Sequence, residues 1–397
     1  MENNKVLKKA IKISAVAIVL FFAVIGILTT VVAVAVFRQP KELLTAVSTY
    51  QLIQSSFYEK VDPEILLEGL SYGMAESLDD PYSKYYTSEE LAVLNSQITG
   101  KYAGIGLMLG LDKETELVKA IKVFKDSPAA RAGLLPGDIL IEINGEATDG
   151  LGTEEVAGKV RGTIGTSVEL SVYRNGELLE FNLTRAEVTA PSVSVKYLEQ
   201  GEDVLYIEIT SFSSNTGQEL GEQLASLDRE PKSVILDLRD NGGGLVAQAI
   251  ESARYFIPGG TVFFETGRDQ TKLEEYKVSS ERFLNVPIVV LVNSNSASAS
   301  EILAGAIQDH GSGTLVGETT YGKAVVQTVF PMPTGGALKL TTKRYLTPDK
   351  RDLSKKGLTP DVEIIPSVED LQKIDYTKMP DLSHDLVLLK ALEVLGN

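Results

Sequence analysis

Pro287-Ile288-Val289-Val290-Leu291-Val292-Asn293-Ser294-Asn295-Ser296-Ala297-Ser298-Ala299-Ser300-Glu301-Ile302-Leu303-Ala304-Gly305-Ala306 holds the most informative local pattern in the chain. Its first part, Ile288 to Asn293, is a short apolar run of the kind that forms a strand buried on both faces. A turn of small residues follows, and then a helix. That sequence of elements presents a serine at a helix N-terminus, where free N–H groups and the positive end of the helix dipole gather. A nucleophile held there has a backbone N–H beside it to stabilise a tetrahedral oxyanion. The same letters also spell a capping box, with Ser298 as N-cap and Glu301 three residues on. The local pattern fits both readings, and it does not choose among Ser296, Ser298 and Ser300.

Some 25 residues later comes Gly317-Glu318-Thr319-Thr320-Tyr321-Gly322-Lys323-Ala324-Val325-Val326-Gln327. If residues 323–327 are extended, Lys323, Val325 and Gln327 share one face. A lysine serves as a general base only when neutral. Burial has to bring its pKa from about 10.4 toward 7, a differential cost of about 4–5 kcal/mol. A glutamine nearby can hold the amine by hydrogen bonding without the negative charge that would keep it protonated. Taken alone, Lys-x-x-x-Gln also describes an ordinary solvated strand face.

Composition narrows the chemistry. There is no cysteine, so no disulfide, thiolate nucleophile or Cys-ligated metal, and only two histidines, His310 and His384. A multi-His zinc site needs both, and a Ser-His-Asp triad needs one of them near the serine. His310 lies twelve residues past Ser298, about 18 Å along a continuous helix, which places it at the helix C-terminus before Gly311. Asp309 beside it reads as structural. No metal or cofactor is expected. The net charge of −16 argues against nucleic acid as a partner.

Around the central stretch, residues 188–375 alternate strands with helices in an α/β pattern. The expected strands include Val204 to Ile209, Ser233 to Leu238, Ile288 to Asn293 and Thr314 to Gly317. Residues 376–397 read as a C-terminal helical tail. Residues 101–187 form a different module. Strands are expected over Leu117 to Phe124, Asp138 to Ile143 and Val168 to Tyr173, with turns at Asn144-Gly145 and Asn175-Gly176. Ser127 to Gly133 reads as a short helix stopped by glycine. This module resembles a PDZ domain through Tyr102-Ala103-Gly104-Ile105-Gly106-Leu107 and Gly133-Leu134-Leu135-Pro136-Gly137-Asp138-Ile139-Leu140. The resemblance implies that Gly104, Ile105, Gly106 and Leu107 bind the carboxylate of a peptide C-terminus. Glycine lets backbone N–H groups converge on an anion, and the peptide adds as a strand.

Residues 38–100 read as a helical region, a lid or dimerisation arm. Asp62-Pro63 opens a helix as cap and first turn, and Thr87 with Glu90 forms a capping box for another. Ahead of them, Ile13 to Phe37 is uncharged and mostly apolar over 25 residues, enough to span a hydrocarbon core of about 30 Å. Lys5, Lys8, Lys9 and Lys12 precede it. The positive-inside rule then keeps residues 1–12 in the cytoplasm and exports the rest. A cleaved signal peptide, with Ala33-Val34-Ala35 as its site, is the competing reading; an uncleaved single-pass anchor is preferred because the apolar stretch exceeds a usual h-region.

Taken together, these blocks resemble the carboxyl-terminal processing peptidases over about 350 residues. The matching marks are Leu78-Asp79-Asp80-Pro81-Tyr82-Ser83, Leu236-Asp237-Leu238-Arg239-Asp240-Asn241-Gly242-Gly243-Gly244, Ser296 to Ile302, Gly317 to Gln327 and Lys356-Gly357-Leu358-Thr359-Pro360-Asp361. The resemblance implies Ser298 as nucleophile, Lys323 as base and Gln327 as the orienting amide. It implies an oxyanion hole from the N–H of Ala299 and one glycine of 242–244, with Gly243 chosen. It implies an α/β (α+β) protease core of the ClpP/crotonase-like spiral type, preceded by the PDZ domain, the helical arm and one transmembrane helix. The expected enzyme is a homodimeric serine endopeptidase in a bacterial cell membrane, its catalytic part outside, acting on proteins with free, apolar C-termini. A non-catalytic, membrane-tethered PDZ scaffold is the alternative. Two positions depart from the family pattern: Ala324 stands where glycine often follows the lysine, and Pro348-Asp349-Lys350-Arg351 replaces a Pro-x-Gly-Arg turn.

Overall fold

The computed structural model describes Gly26 and residues 40–112, 115, 117–199, 203–279, 281, 283–374 and 380–396. Apart from Gly26, the expected membrane anchor at 13–37 lies outside these residues. Among the described residues no helix is long and apolar enough to cross a membrane. Contacts divide the chain at Asp79 and Asp80, and the two parts are described separately.

The first part contains helices α1 (Pro40–Ser56) and α2 (Pro63–Glu76). Asp62 caps α2 by accepting the Glu64 N–H at 2.9 Å, with Pro63 in the first turn. Proline costs nothing there because its missing N–H would have no helical partner. Leu44, Leu52, Ile65 and Met74 are exposed along these helices.

The second part opens with β1 (Lys84–Tyr86) and helix α3 (Ser88–Thr99). Thr87 and Glu90 form both hydrogen bonds of the expected capping box, at 3.2 and 3.1 Å. The strand β1 is a departure from the sequence expectation of an all-helical region. It belongs to a sheet of the core described below.

The PDZ-like module follows. Its strands are β2 (Lys101–Gly104), β3 (Leu107–Leu111), β4 (Val118–Val123), β5 (Ile139–Ile143), β6 (Glu146–Ala147), β7 (Ser167–Arg174), β8 (Glu177–Thr184) and β9 (Ala186–Thr189). Its helices are α4 (Pro128–Ala132) and α5 (Thr153–Val160). The strands β3-β4-β5-β7-β8 form one antiparallel sheet, and β2 pairs with β9. Asn175 and Gly176 both adopt positive φ, 51° and 90°. Those angles make the two-residue hairpin between β7 and β8 whose twist matches the strands it joins. Ile105, Val118, Leu134, Leu140, Val156 and Leu170 fill the core of the module.

The remaining chain forms two sheets. The first comprises β10 (Val193–Tyr197), β11 (Val204–Ile209), β12 (Ser233–Asp237), β15 (Ile288–Val292), β16 (Thr314–Gly317) and β19 (Val362–Glu363). They lie in the order β10-β11-β12-β15-β16-β19, parallel except for β10. Alternate residues serve opposite faces, as a period of two requires. Leu205, Ile207, Leu236 and Val290 point into a core shared with helices α6 (Thr216–Ala225), α7 (Val246–Phe256) and α8 (Ala299–Asp309). Tyr206, Ile235, Val289 and Leu291 point the other way, against Val387, Leu388 and Ala391. Those last residues sit on the C-terminal helix α10 (Leu386–Leu395), which follows a short α9 (Val368–Lys373). The tail expected from the sequence is therefore a packed layer of the core. Asp385, fully buried, caps α10 and pairs with Arg239, which is also bound by Asp237 at 2.6 Å.

The second sheet runs β1-β18-β13-β14 with β17 added beside β18. Its further strands are β13 (Gly260–Thr266), β14 (Glu274–Val278), β17 (Val325–Pro331) and β18 (Ala337–Leu346). This sheet carries the loop of Lys323 to the turn of Ser298.

Candidate active site

The turn between β15 and α8 is bolted to the loop that follows β12. Ser296 donates to the carbonyl of Leu238 at 2.7 Å, and Ser300 donates to the carbonyl of Asn241 at 2.8 Å. Both serines are fully buried. Their hydroxyls are thus committed to carbonyls, which excludes them as nucleophiles in this arrangement. Ser298 stands between them at φ 58°, ψ −113°, and its hydroxyl makes no capping bond to α8. A non-glycine residue at such an angle stores about 1–3 kcal/mol of strain, which the surrounding bonds must hold. The capping box expected from the sequence is half formed. Glu301 accepts the Ser298 N–H at 2.9 Å, while the serine oxygen is left for other partners.

Glu301 does more than the sequence pattern suggests. It is fully buried. Its Oε2 accepts the N–H of Ser298 at 2.9 Å, the N–H of Lys323 at 3.0 Å and the Tyr345 hydroxyl at 3.2 Å. Its Oε1 accepts the Gly322 N–H and the Thr320 hydroxyl, both at 2.7 Å. Five donors converge on one acceptor-only group, the role an ionised carboxylate fills. One oxygen thereby holds the backbone of Ser298 and the backbone of Lys323 together. The sequence read Glu301 only as a cap, because its other partners come from a loop some 20 residues on and from Tyr345 of β18.

Lys323 lies just before β17, and the expected extended run 323–327 is not continuous. Ala324 takes φ 48° and the register slips between Val326 and Gln327. Strict alternation therefore does not relate Lys323 to Gln327. Gln327 Nε2 donates to the Thr341 hydroxyl at 3.4 Å, across the pairing of β17 with β18. No hydrogen bond joins the side chains of Ser298, Lys323 and Gln327 to one another in this structure. Burial pulls the Lys323 ammonium below its ordinary range, and Lys339 pushes the same way; Glu301 and Asp80 oppose them. The Tyr82 ring lies 4.9 Å from Lys323 Nζ. Tyr82 belongs to a segment that the sequence marked only as a family motif.

Ala299 is the first residue of α8, so its N–H has no partner within the helix. Gly243 packs against this turn at φ 101°. A Cβ there would stand 2.7 Å from the Ala297 carbonyl, 2.8 Å from Ser298 Cβ and 3.0 Å from the Ala299 nitrogen. Only glycine permits that approach. The Gly243 N–H, however, already donates to Asn241 Oδ1 at 2.9 Å. Asn241 is itself fixed by donating to the Ile209 carbonyl at 2.7 Å.

The two histidines are engaged elsewhere. His310 ends α8, with Nε2 2.7 Å from the Thr261 carbonyl, and His384 pairs with Asp381. Asp309 is structural, accepting from the Asp349 N–H at 2.8 Å and from Arg351.

In the PDZ-like module, residues Gly104 to Leu107 line a cavity of about 200 Å³, with Val160 and Arg161 of the α5 end opposite. Gly106 takes φ 86°, and a Cβ there would overlap Ser127 at 2.2 Å. The loop therefore depends on glycine for its packing as well as for its backbone angle.

Comparison with known proteins agrees with this arrangement. The model of peptidase family S41 matches residues 203–364, that of a PDZ domain residues 122–174, and that of the "Activating protease CtpB N-terminal domain" residues 33–90. The "Carboxy-terminal processing protease CtpA" of Bacillus subtilis (strain 168) is 36% identical over 337 residues, covering 85% of this chain and 70% of that one. The "Probable CtpA-like serine protease" of Staphylococcus aureus (strain N315) is 34% identical over 351 residues, 87% of this chain and 70% of that one. Among solved structures, a Bacteroides fragilis protein assigned to the S41 proteases shares the fold, with a TM-score of 0.54 at 17% identity over 81% of this chain and 87% of that one. The chain is a serine-type peptidase and belongs to the carboxyl-terminal processing proteases of peptidase family S41.

Proposed function

We propose that the protein is a membrane-anchored endopeptidase in which Ser298 attacks the scissile carbonyl and Lys323 takes its proton. The observation that carries this reading is the state of the three serines: Ser296 and Ser300 are spent on carbonyls, whereas the Ser298 hydroxyl is left out of capping at a strained helix start. The shared oxygen of Glu301 brings the Lys323 backbone beside it. In the reaction, the neutral Lys323 amine removes the hydroxyl proton and later gives it to the leaving amine. An acyl-enzyme ester remains on Ser298, and water, deprotonated by the same amine, hydrolyses it. Gln327 orients the amine once it is released from Thr341.

The oxyanion is held by the Ala299 N–H and a glycine N–H of 242–244. Gly243 serves in that role only if its bond to Asn241 yields. The PDZ loop Gly104 to Leu107 takes the carboxylate of an apolar substrate C-terminus and gates access to the serine. Residues 13–37 anchor the enzyme in a bacterial cell membrane with the catalytic part outside. The exposed apolar residues of α1 and α2 support a homodimer, and the two-sheet core supports the ClpP/crotonase-like spiral class.

The test is cleavage of an unstructured peptide with an apolar C-terminus by Ser298→Ala and Lys323→Ala. Both are expected to lose at least ~10³-fold in kcat. Undiminished cleavage by either removes the assignment. The pH profile carries the sign of the base. Because the free amine is the active form and its pKa is depressed, kcat/KM is expected to rise with pH through that lowered value and to fall away on acidification.

A further inference from the structure

The turn Asp80 to Ser83 carries the aromatic ring that covers Lys323, and it is anchored at both ends of the proposed base system. Asp80 Oδ2 accepts the Ser83 hydroxyl at 2.6 Å, and Asp80 Oδ1 accepts the Tyr82 N–H at 3.1 Å. The Ser83 oxygen in turn accepts the Thr341 N–H at 3.0 Å. Thr341 is the register partner of Gln327 and accepts its side chain. One four-residue turn thus reaches the lysine through Tyr82 and the glutamine through Ser83.

The Tyr82 hydroxyl donates to that of Tyr321 at 3.4 Å, a long contact that adds little. The turn's own bonds set where the Tyr82 side chain leaves the backbone. A ring beside an ammonium has two opposed effects. Its π face attracts the charge by about 0.5–1 kcal/mol, and its bulk keeps water from solvating that charge. Burial is the leading influence on Lys323 and the net direction is downward, which is the direction in which exclusion of water acts. The other groups facing the amine are Lys339 from β18, which acts the same way, and Glu301 from α8 and Asp80 from the turn, which act against it. The phenol of Tyr82 is pushed up to about 12, by burial first and then by Tyr321. It stays protonated at working pH and is no base.

We propose that Tyr82 is a positioning residue of the proposed catalytic lysine: its ring walls Lys323 Nζ off from water and keeps the amine at the serine. This rests on the Ser298–Lys323 reading. The role belongs to the ring and not to the hydroxyl.

The experiment compares Tyr82→Phe, Tyr82→Leu and Tyr82→Ala in the full chain, with Ser298→Ala and Lys323→Ala alongside. The readouts are kcat and KM on the unstructured peptide across pH, and thermal unfolding as a check on folding. Tyr82→Phe is expected to keep the profile. Tyr82→Ala is expected to lower kcat about 10–100-fold with little change in KM. It should also move the rising limb of kcat/KM to higher pH by about one unit, because water returns to the ammonium and stabilises it. Tyr82→Leu keeps the apolar wall without the π face, so its limb should stay at or below the parent's pH. It stands in for the alanine variant should that one fail to fold. An unmoved limb in Tyr82→Ala, or a limb raised in Tyr82→Leu as far as expected for alanine, overturns the proposal. Cleavage surviving in Ser298→Ala or Lys323→Ala would instead remove the reading on which it rests.

Discussion

The turn of Ser298 and the loop of Lys323 are held by the same carboxylate but in different ways. In the serine turn, side chains at 296 and 300 are pinned to carbonyls, and the Ala297 N–H is bound by Asn241 at 3.0 Å. In the lysine loop the pins fall on the Gly322, Lys323 and Ala324 N–H groups and the Thr320 hydroxyl, bound by Glu301 and Tyr345, and leave the Lys323 side chain out. The Lys323 side chain rests against Tyr82 without a hydrogen bond to Ser298 or Gln327. The backbone of the proposed nucleophile is thus preorganised, whereas the proposed base is placed by packing. A side chain held by packing can change protonation state without breaking a bond, which suits a proton shuttle.

The largest expected effect comes from breaking what the two regions share. Glu301→Gln preserves shape, but its amide nitrogen must face a backbone N–H in either orientation. On the Oε1 side it meets Gly322, and on the Oε2 side Ser298 and Lys323. A buried donor set against donors costs about 1–3 kcal/mol. Because Glu301 positions both Ser298 and Lys323, and misplacing each by about 1 Å costs on the order of 10²-fold, we expect kcat to fall at least ~10³-fold, with a lowered unfolding midpoint in urea. Activity near that of the parent would show that the carboxylate is a cap and nothing more.

A smaller loss tests the serine side alone. Gly243→Ala drives a methyl into the Ala297 carbonyl and Ser298 Cβ. Displacing a reacting group by about 1 Å costs on the order of 10²-fold in kcat. Labelling of Ser298 by a serine-reactive probe should slow in parallel, while KM changes little.

The smallest effect sharpens the lysine side. Ala324 is fully buried at φ 48°, where a Cβ is disfavoured by about 1–2 kcal/mol. Glycine relieves that strain but gains unfolded-chain entropy of about 0.5–1 kcal/mol. Ala324→Gly is therefore expected to leave activity within about twofold and to raise stability by no more than ~1 kcal/mol, read from chemical denaturation. A marked loss of activity would mean that Ala324 shapes the cleft through its methyl.

Much of the fold was legible from local signals. The strands Val204–Ile209 and Thr314–Gly317 have the expected bounds, because continuous apolar runs in a parallel sheet admit little else. The Asn175-Gly176 hairpin, the Gly133 stop of α4 and the Thr87–Glu90 box also follow from residues close in sequence. What escaped was non-local. Strand β1 has three residues and exists because β18, far along the chain, pairs with it. Tyr82 sits by Lys323 for the same reason. The break at Ala324 escaped too, since alanine carries no signal for positive φ.

Within the candidate site, the sequence narrowed the chemistry by elimination and by pattern. It has no cysteine and too few histidines for the common alternatives, and it places a serine run at a helix start ahead of a lysine and a glutamine. Which serine hydroxyl is left uncommitted, which glycine N–H is already spent and what surrounds the lysine were decided only by tertiary structure. The physical reason is that hydrogen-bond commitment and desolvation depend on partners brought together from Asp80, Asn241, Glu301 and Thr341. No local pattern encodes how such partners meet.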